Sequence, residues 1–137
     1  MAVFVWDPRK FDVGIDTFND EHRHMVEQMN ELFEFNKSNA RKDVILTQLA
    51  ELGRIIKAHF VHEEKFMRDI GFHGLDTHER VHRDLLKEFG AHVEKFKAGP
   101  GTIDPGFFSF LKLWLAAHIQ HTDKAYAVHA GGLRKTG

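Results

Sequence analysis

The amino-acid sequence predicts an all-α protein, an up-down-up-down four-helix bundle with an extended N-terminal arm. Apolar residues recur at intervals of three and four in four separate segments, which is the period of an amphipathic helix. Short loops separate the segments, and short loops place consecutive helices antiparallel. The 137 residues fit a single domain, residues 1–137, that can bury a core without disulfides. An irregular helical domain is the alternative arrangement.

The four helices are predicted from their apolar stripes and their end signals. The first spans about residues 19–36, and the second begins near Asp43, a residue type suited to the N-cap. The third spans about residues 76–97 and ends before a Gly-Pro-Gly sequence. The fourth begins at Asp104 and Pro105, an N-cap followed by proline at the first helical position.

The two ends of the chain are predicted to lie outside the bundle. Pro8 and Gly14 interrupt helical spacing in residues 1–16, the predicted arm. About residues 128–137 form a glycine-containing tail that we expect to be flexible. The first ten residues lack a basic region followed by a long apolar run, so no signal peptide is expected. No membrane segment is predicted, and the default location is cytoplasmic.

Composition excludes several classes of function and raises one question. The chain contains no cysteine, so disulfides, thiolate ligands and cysteine nucleophiles are excluded. A formal net charge of −1 gives no electropositive surface for nucleic acid. The 13 phenylalanines predict an aromatic core, whereas the 11 histidines require an explanation.

Several polar residues fall on the apolar stripes of the four helices. These residues are His22, His59, Glu63, His78, His82 and His118. A lone histidine on an apolar face is usually structural, but a buried ionised carboxylate is costly unless it is paired or bound to a metal. Five histidines and a carboxylate from four converging helices therefore predict a metal site.

The spacing supports a common centre. The two residues on the second helix and the two histidines on the third are each four positions apart, so each pair projects from one face. Asp123 follows His118 by five positions, an offset of roughly 140° on an ideal helix. Asp123 reaches the same centre only if the fourth helix bends, bulges or ends between them.

The donor set favours two metals over one. Imidazole suits iron, zinc, copper and nickel, and seven ligands exceed the needs of one four-coordinate zinc. If both carboxylates bridge two metals, one metal has three histidines and the other has two. The metal with two histidines then keeps one position open to a small ligand.

The order of these motifs is specific, although each is weak alone. The motifs are Asp20-Glu21-His22, His59-Phe60-Val61-His62-Glu63-Glu64, His78-Glu79-Arg80-Val81-His82, and Trp114-Leu115-Ala116-Ala117-His118 followed by Asp123. The chain resembles the hemerythrin family, in particular the single-domain bacteriohemerythrins, over nearly its whole length. It departs from the family pattern at Glu21, where glutamine is usual.

The resemblance implies a non-haem centre of two iron ions (Fe²⁺/Fe³⁺) joined by an oxo or hydroxo bridge. It assigns His78, His82 and His118 to a six-coordinate iron, His22 and His59 to a five-coordinate iron, and Glu63 and Asp123 to both. Apolar residues around the open position would exclude water, although plain core packing also accounts for them. These oxygen-pocket residues are Phe60, Trp114, Leu115 and Ile119.

The function implied by the resemblance is reversible oxygen binding by a monomeric carrier, storage or delivery protein that is not an enzyme. Molecular oxygen is the expected ligand, and azide-like small anions would compete for the open position. Two alternatives stay open at this point. One is an oxygen- or iron-sensing module that signals to a separate protein partner. The other is a di-iron oxidase or peroxide-handling enzyme.

Overall fold

The computed structural model describes residues 15–118, apart from the side chain of Leu115. The described chain forms four helices and no strand, so the all-α prediction is confirmed. We label the helices α1 (Asp16–Lys37), α2 (Lys42–Asp69), α3 (Leu75–Ala98) and α4 (Pro105–Ala117). Loops of a few residues join them, and α2 packs against both α1 and α3.

Contacts of α4 close the bundle. The rings of Phe33 on α1 and Phe108 on α4 meet edge to face at 5.2 Å. On the other side, Phe89 of α3 meets Phe107 of α4 at 5.7 Å. The backbone N–H of Ile103 also donates to the side-chain oxygen of Asn36 at 2.8 Å, which fixes the α3–α4 loop against the end of α1. Each helix therefore contacts two neighbours, as in a four-helix bundle.

The first helix begins earlier than the sequence predicted. It starts at Asp16, because the N–H of Asn19 already donates to the carbonyl of Ile15 at 2.9 Å. Phe18 lies in this added turn and is buried, which favours the longer helix. The predicted arm, residues 1–16, was therefore too long at its C-terminal end. Ile15 has extended backbone, and residues 1–14 lie outside the described part of the chain.

One of the two predicted N-caps was wrong and the other is confirmed. The N-cap of α2 is Arg41, and Asp43 lies within the first turn, where its carboxylate accepts a hydrogen bond from the Arg41 guanidinium at 3.1 Å. An acidic residue in the first turn also suits the positive end of the helix dipole. Asp104 directly precedes α4, and its carboxylate accepts the N–H of Gly106 at 3.0 Å.

The core is apolar at one end of the bundle and polar at the other. The α1–α2 and α3–α4 loops lie at the apolar end, where the Lys42 ammonium donates to the carbonyls of Lys97 and Gly99 at 2.7 and 2.8 Å. The buried residues there include Leu32, Ile45, Leu49, Leu52, Phe96, Ile103, Phe107 and Leu111. The buried polar residues lie toward the other end.

Candidate metal centre

Six polar side chains from the four helices lie buried at the polar end of the bundle. Alternating helix direction brings together the first turns of α1 and α3, the second half of α2 and the end of α4. The buried residues are His22, His59, Glu63, His78, His82 and His118, each at most 5% exposed. They are the predicted candidates within the described chain, and the structure brings all of them together.

These side chains form two groups that share one residue. Glu63, His78, His82 and His118 each offer a donor atom within 4.8 Å of the others, and His22, His59 and Glu63 do the same. Glu63 is therefore common to a group with three histidines and a group with two. The side chains therefore group as three histidines and two around one shared carboxylate, and their role as metal ligands stays a prediction.

One oxygen of Glu63 lies at the meeting point of the two groups. Its Oε1 atom is 2.8 Å from Nε2 of His59, 3.6 Å from Nε2 of His82 and 3.8 Å from Nε2 of His118. The Nε2 atoms of His82 and His118 lie 3.3 Å apart. Two imidazole nitrogens and a carboxylate oxygen that converge at such distances form a cation-binding donor set.

The environment favours the protonation states that a metal requires. Burial raises the pKa of Glu63, but the neighbouring His59 and the hydrogen bonds from His118, His59 and His82 outweigh it and hold the pKa well below its usual range. Burial lowers the pKa of His82, which favours the neutral imidazole. Ionised carboxylates and neutral imidazoles are the forms that bind metal ions.

A partly buried carboxylate on α1 contacts the back of the two-histidine group. Glu21 accepts hydrogen bonds from Nδ1 of His59 and Nδ1 of His62, both at 2.6 Å. Burial opposes ionisation of Glu21, but the hydrogen bonds to these two histidines prevail and lower its pKa. On the other group, Nδ1 of His82 lies 3.5 Å from Glu64.

Aromatic side chains form one wall of the centre. The ring of Phe60 stacks on His82 with centroids 3.8 Å apart and planes 6° apart. Trp114 meets Phe60 edge to face at 5.9 Å and lies 6.1 Å from the His118 ring. Phe60 and Trp114, two of the four predicted pocket residues, are thus buried beside the histidines. The side chain of Leu115 and all of Ile119 lie outside the described residues.

Asp123, the predicted second carboxylate, also lies outside the described residues. The structure does describe the backbone that leads toward it. The α-helical part of α4 ends at Ala117, and His118 lies in a π-helical turn. A change of helix geometry at this point is one of the conditions that the five-residue spacing requires.

The other described histidines are separate from the two groups. His24 is exposed and lies 3.8 Å from Glu27. His62 is exposed and lies 2.6 Å from the Glu21 carboxylate. His92 stacks on Phe107 at 5.1 Å at the apolar end.

Sequence reasoning missed two residues that support the centre. Phe18 meets the His59 ring edge to face at 5.7 Å, and its position four residues before His22 on the same stripe was the available signal. The contacts of Glu21 with histidines of α2 had no signal in the sequence, because they join residues 38 and 41 positions apart.

None of the described helices is long and apolar enough to cross a membrane.

Comparisons with known proteins find similar chains both by sequence and by structure. Residues 13–129 match the family model described as "Hemerythrin HHE cation binding domain". A bacteriohemerythrin of Clostridium acetobutylicum is 30% identical over 90% of this chain and 98% of its own length. A myohemerythrin of Riftia pachyptila is 29% identical over 90% of both chains. The crystal structure of a wild-type hemerythrin superposes with a TM-score of 0.84 at 25% identity, covering 92% of this chain and 96% of its own.

Proposed function

Because the chain belongs to the hemerythrin family, we propose that it binds molecular oxygen reversibly at a non-haem centre of two iron ions. The observation that carries the proposal is the pair of buried donor groups, three histidines and two, that share Glu63. A shared carboxylate suits two adjacent cations, and the unequal histidine count leaves one of them a position for a small ligand. When bound, the two ions would supply the two electrons that reversible oxygen binding requires.

The proposed ligands follow from the two groups. His78, His82 and His118 would hold one ion, His22 and His59 would hold the other, and Glu63 would contact both. Asp123 is proposed as the second shared carboxylate on the motif spacing alone. Imidazole-rich donor sets with carboxylates suit iron well, whereas magnesium and calcium prefer sites made entirely of oxygen.

The chain's own residues would keep water away from the centre. Phe60 contacts a histidine of each group, stacked on His82 and 6.2 Å from the His59 ring, and Trp114 extends this aromatic surface. The buried histidines and Glu63 are proposed as metal ligands, so they would not be available to bind a larger substrate. This arrangement supports a carrier, storage or sensing role over an oxidase.

Metal analysis of matched variants tests the proposed centre. The purified protein should contain about two irons per chain, since the donor set divides into two groups. His22→Ala should lose at least one iron, whereas His24→Ala, two positions away on the same helix and exposed, should keep both. One zinc and no iron in the unmodified protein, or equal iron content in the two variants, would contradict the proposal.

Oxygen balance then separates a carrier from an enzyme. The reduced protein should take up oxygen, release it intact when the pressure falls, and bind azide in competition. Near-complete recovery in early cycles supports reversible binding. Continuous oxygen consumption that accelerates with an added electron donor, with none recovered, would replace the proposal with the oxidase alternative.

A further inference from the structure

A chain of three polar side chains connects the two-histidine group with the protein surface. Nδ1 of His59 lies 2.6 Å from Oε1 of Glu21, and Nδ1 of His62 lies 2.6 Å from Oε2 of the same carboxylate. The side chains are 1%, 23% and 56% exposed for His59, Glu21 and His62, in order from the core outward. Glu21 therefore joins a buried imidazole to an exposed one.

We propose that Glu21 is a positioning residue for His59, and that His62 holds the Glu21 carboxylate in place from the surface. The inference rests on the proposed metal site, in which His59 is a ligand. His59 places its two ring nitrogens on opposite sides, Nδ1 toward Glu21 and Nε2 toward Glu63 at 2.8 Å. An Nε2 lone pair can reach a metal only when the proton is on Nδ1, and Glu21 accepts that proton's hydrogen bond.

The surroundings of the ring show why the carboxylate decides its orientation. Phe18 contacts one side of the His59 ring edge to face at 5.7 Å, and His22 lies at 4.5 Å. These contacts limit the position of the ring but do not distinguish its two nitrogens. Carboxylates face both nitrogens, Glu21 at Nδ1 and Glu63 at Nε2. When a cation lies between Nε2 and Glu63, the ring proton is left on Nδ1, where the Glu21 carboxylate at 2.6 Å accepts it.

The two donor groups differ in this outer contact. On the three-histidine side, Glu64 lies 3.5 Å from Nδ1 of His82, which is longer than an ordinary hydrogen bond. A carboxylate that accepts from a ligand histidine raises the basicity of that ligand. Glu21 is therefore expected to strengthen metal binding at the two-histidine group, where the open position is proposed.

The first experiment uses the metal-free protein, so it does not depend on iron uptake. A proton held between Nδ1 of His59 and Glu21 should give a far-downfield NMR signal that exchanges slowly with water, and nitrogen correlation assigns it to Nδ1 rather than to Nε2, which faces Glu63. Glu21→Ala should abolish this signal, whereas Glu27→Gln, an exposed change on the same helix, should keep it. Absence of the signal in the unmodified protein, or its persistence in Glu21→Ala, would overturn the proposal.

The second experiment measures metal affinity by anaerobic titration with iron(II) against a chelator. Glu21→Ala should weaken binding of one of the two ions about 10- to 100-fold, the usual effect of losing such a contact. Glu21→Gln keeps the shape and one acceptor, so it should recover part of the affinity and stands in if the alanine variant fails to fold. His62→Ala should have a smaller effect in the same direction.

The outcomes separate this inference from the proposed function. The role of Glu21 would be refuted if the unmodified protein binds two irons and Glu21→Ala binds them as tightly as Glu27→Gln does. That result would leave the di-iron proposal intact. No iron bound by the unmodified protein would refute the di-iron proposal, and the NMR signal would then show whether Glu21 orients His59.

Discussion

Replacing Glu63 by glutamine tests whether one carboxylate serves both donor groups. Glu63 is completely buried, and its Oε1 atom lies within 3.8 Å of the Nε2 atoms of three histidines. Glutamine has nearly the same shape but no charge, so it should pack similarly and bind cations far more weakly. The unmodified protein should gain thermal stability when iron(II) is added, because the metal binds the folded state.

The size of this gain can be estimated. An ion at 1,000 times its dissociation constant stabilises the folded state by about 4.1 kcal/mol. With an unfolding entropy of roughly 2.1 cal/mol/K per residue, 1 kcal/mol moves the midpoint by about 3.5 °C in a chain of 137 residues. Each ion should therefore raise the midpoint by about 14 °C. His22→Ala should keep about half of the total gain, and Glu63→Gln should lose most of it.

The assay is anaerobic thermal unfolding of each variant with and without iron(II). The difference between the two midpoints removes any effect of the substitution on the metal-free protein. Glu51→Gln is the matched control on the same helix, where the carboxylate pairs with Arg54 at the surface. If iron(II) raises the thermal midpoint of Glu63→Gln as much as that of the unmodified protein, the shared role of Glu63 is refuted. If the increase falls by half, Glu63 contacts one ion only.

Three further predictions concern the bundle and its pH response. Gly90→Ala should stabilise α3 by roughly 0.5–1 kcal/mol in chemical unfolding, because nothing lies within 4 Å of the added Cβ. Gly53→Ala should gain less, since its Cβ would lie 3.1 Å from the Phe89 ring. Asp104→Asn should lower the thermal midpoint at pH 7, because Lys95 and the Gly106 N–H lower the Asp104 pKa and stabilise the ionised carboxylate. This stability is present above the ordinary aspartate pKa and is lost as the pH falls through the lowered value, so the difference between the two proteins should shrink in acid. Iron content after dialysis should fall as the pH is lowered, because protons compete with the metal for the ligands.

The helices were predictable because their signals are local. The period of the apolar residues gave four helices, and Asp104 followed by Pro105 marked the start of α4 correctly. The starts of α1 and α2 were less accurate. Phe18 is buried by contacts with α2, and Asp43 pairs with Arg41 within the first turn, so tertiary and local side-chain contacts shifted those ends by one to three residues.

The candidate site was predictable for a different reason. Burying a polar side chain costs free energy unless it finds a partner such as another polar group or a metal ion. The six polar residues on the apolar stripes could therefore be predicted from the sequence to share one site. Glu21 carried no such signal, because an acidic residue near the start of a helix is expected on a solvated face. Its hydrogen bonds to His59 and His62 depend on the crossing of α1 and α2, which spacing along one helix does not reveal.

The spacing of His118 and Asp123 has a different meaning once the end of α4 is known. On an α-helix, residues five apart differ by roughly 140°, which directs them to different faces. A π-helical turn closes between residues five apart and returns the chain to nearly the same face. His118, the last residue that the structure describes, lies in such a turn, and we keep Asp123 as the proposed second carboxylate on the motif spacing. We therefore expect Asp123→Ala to lower the iron content per chain as far as Glu63→Gln does, whereas Asp84→Ala, at an exposed position of α3, should keep two irons. Equal iron content in the two aspartate variants would show that the register argument fails.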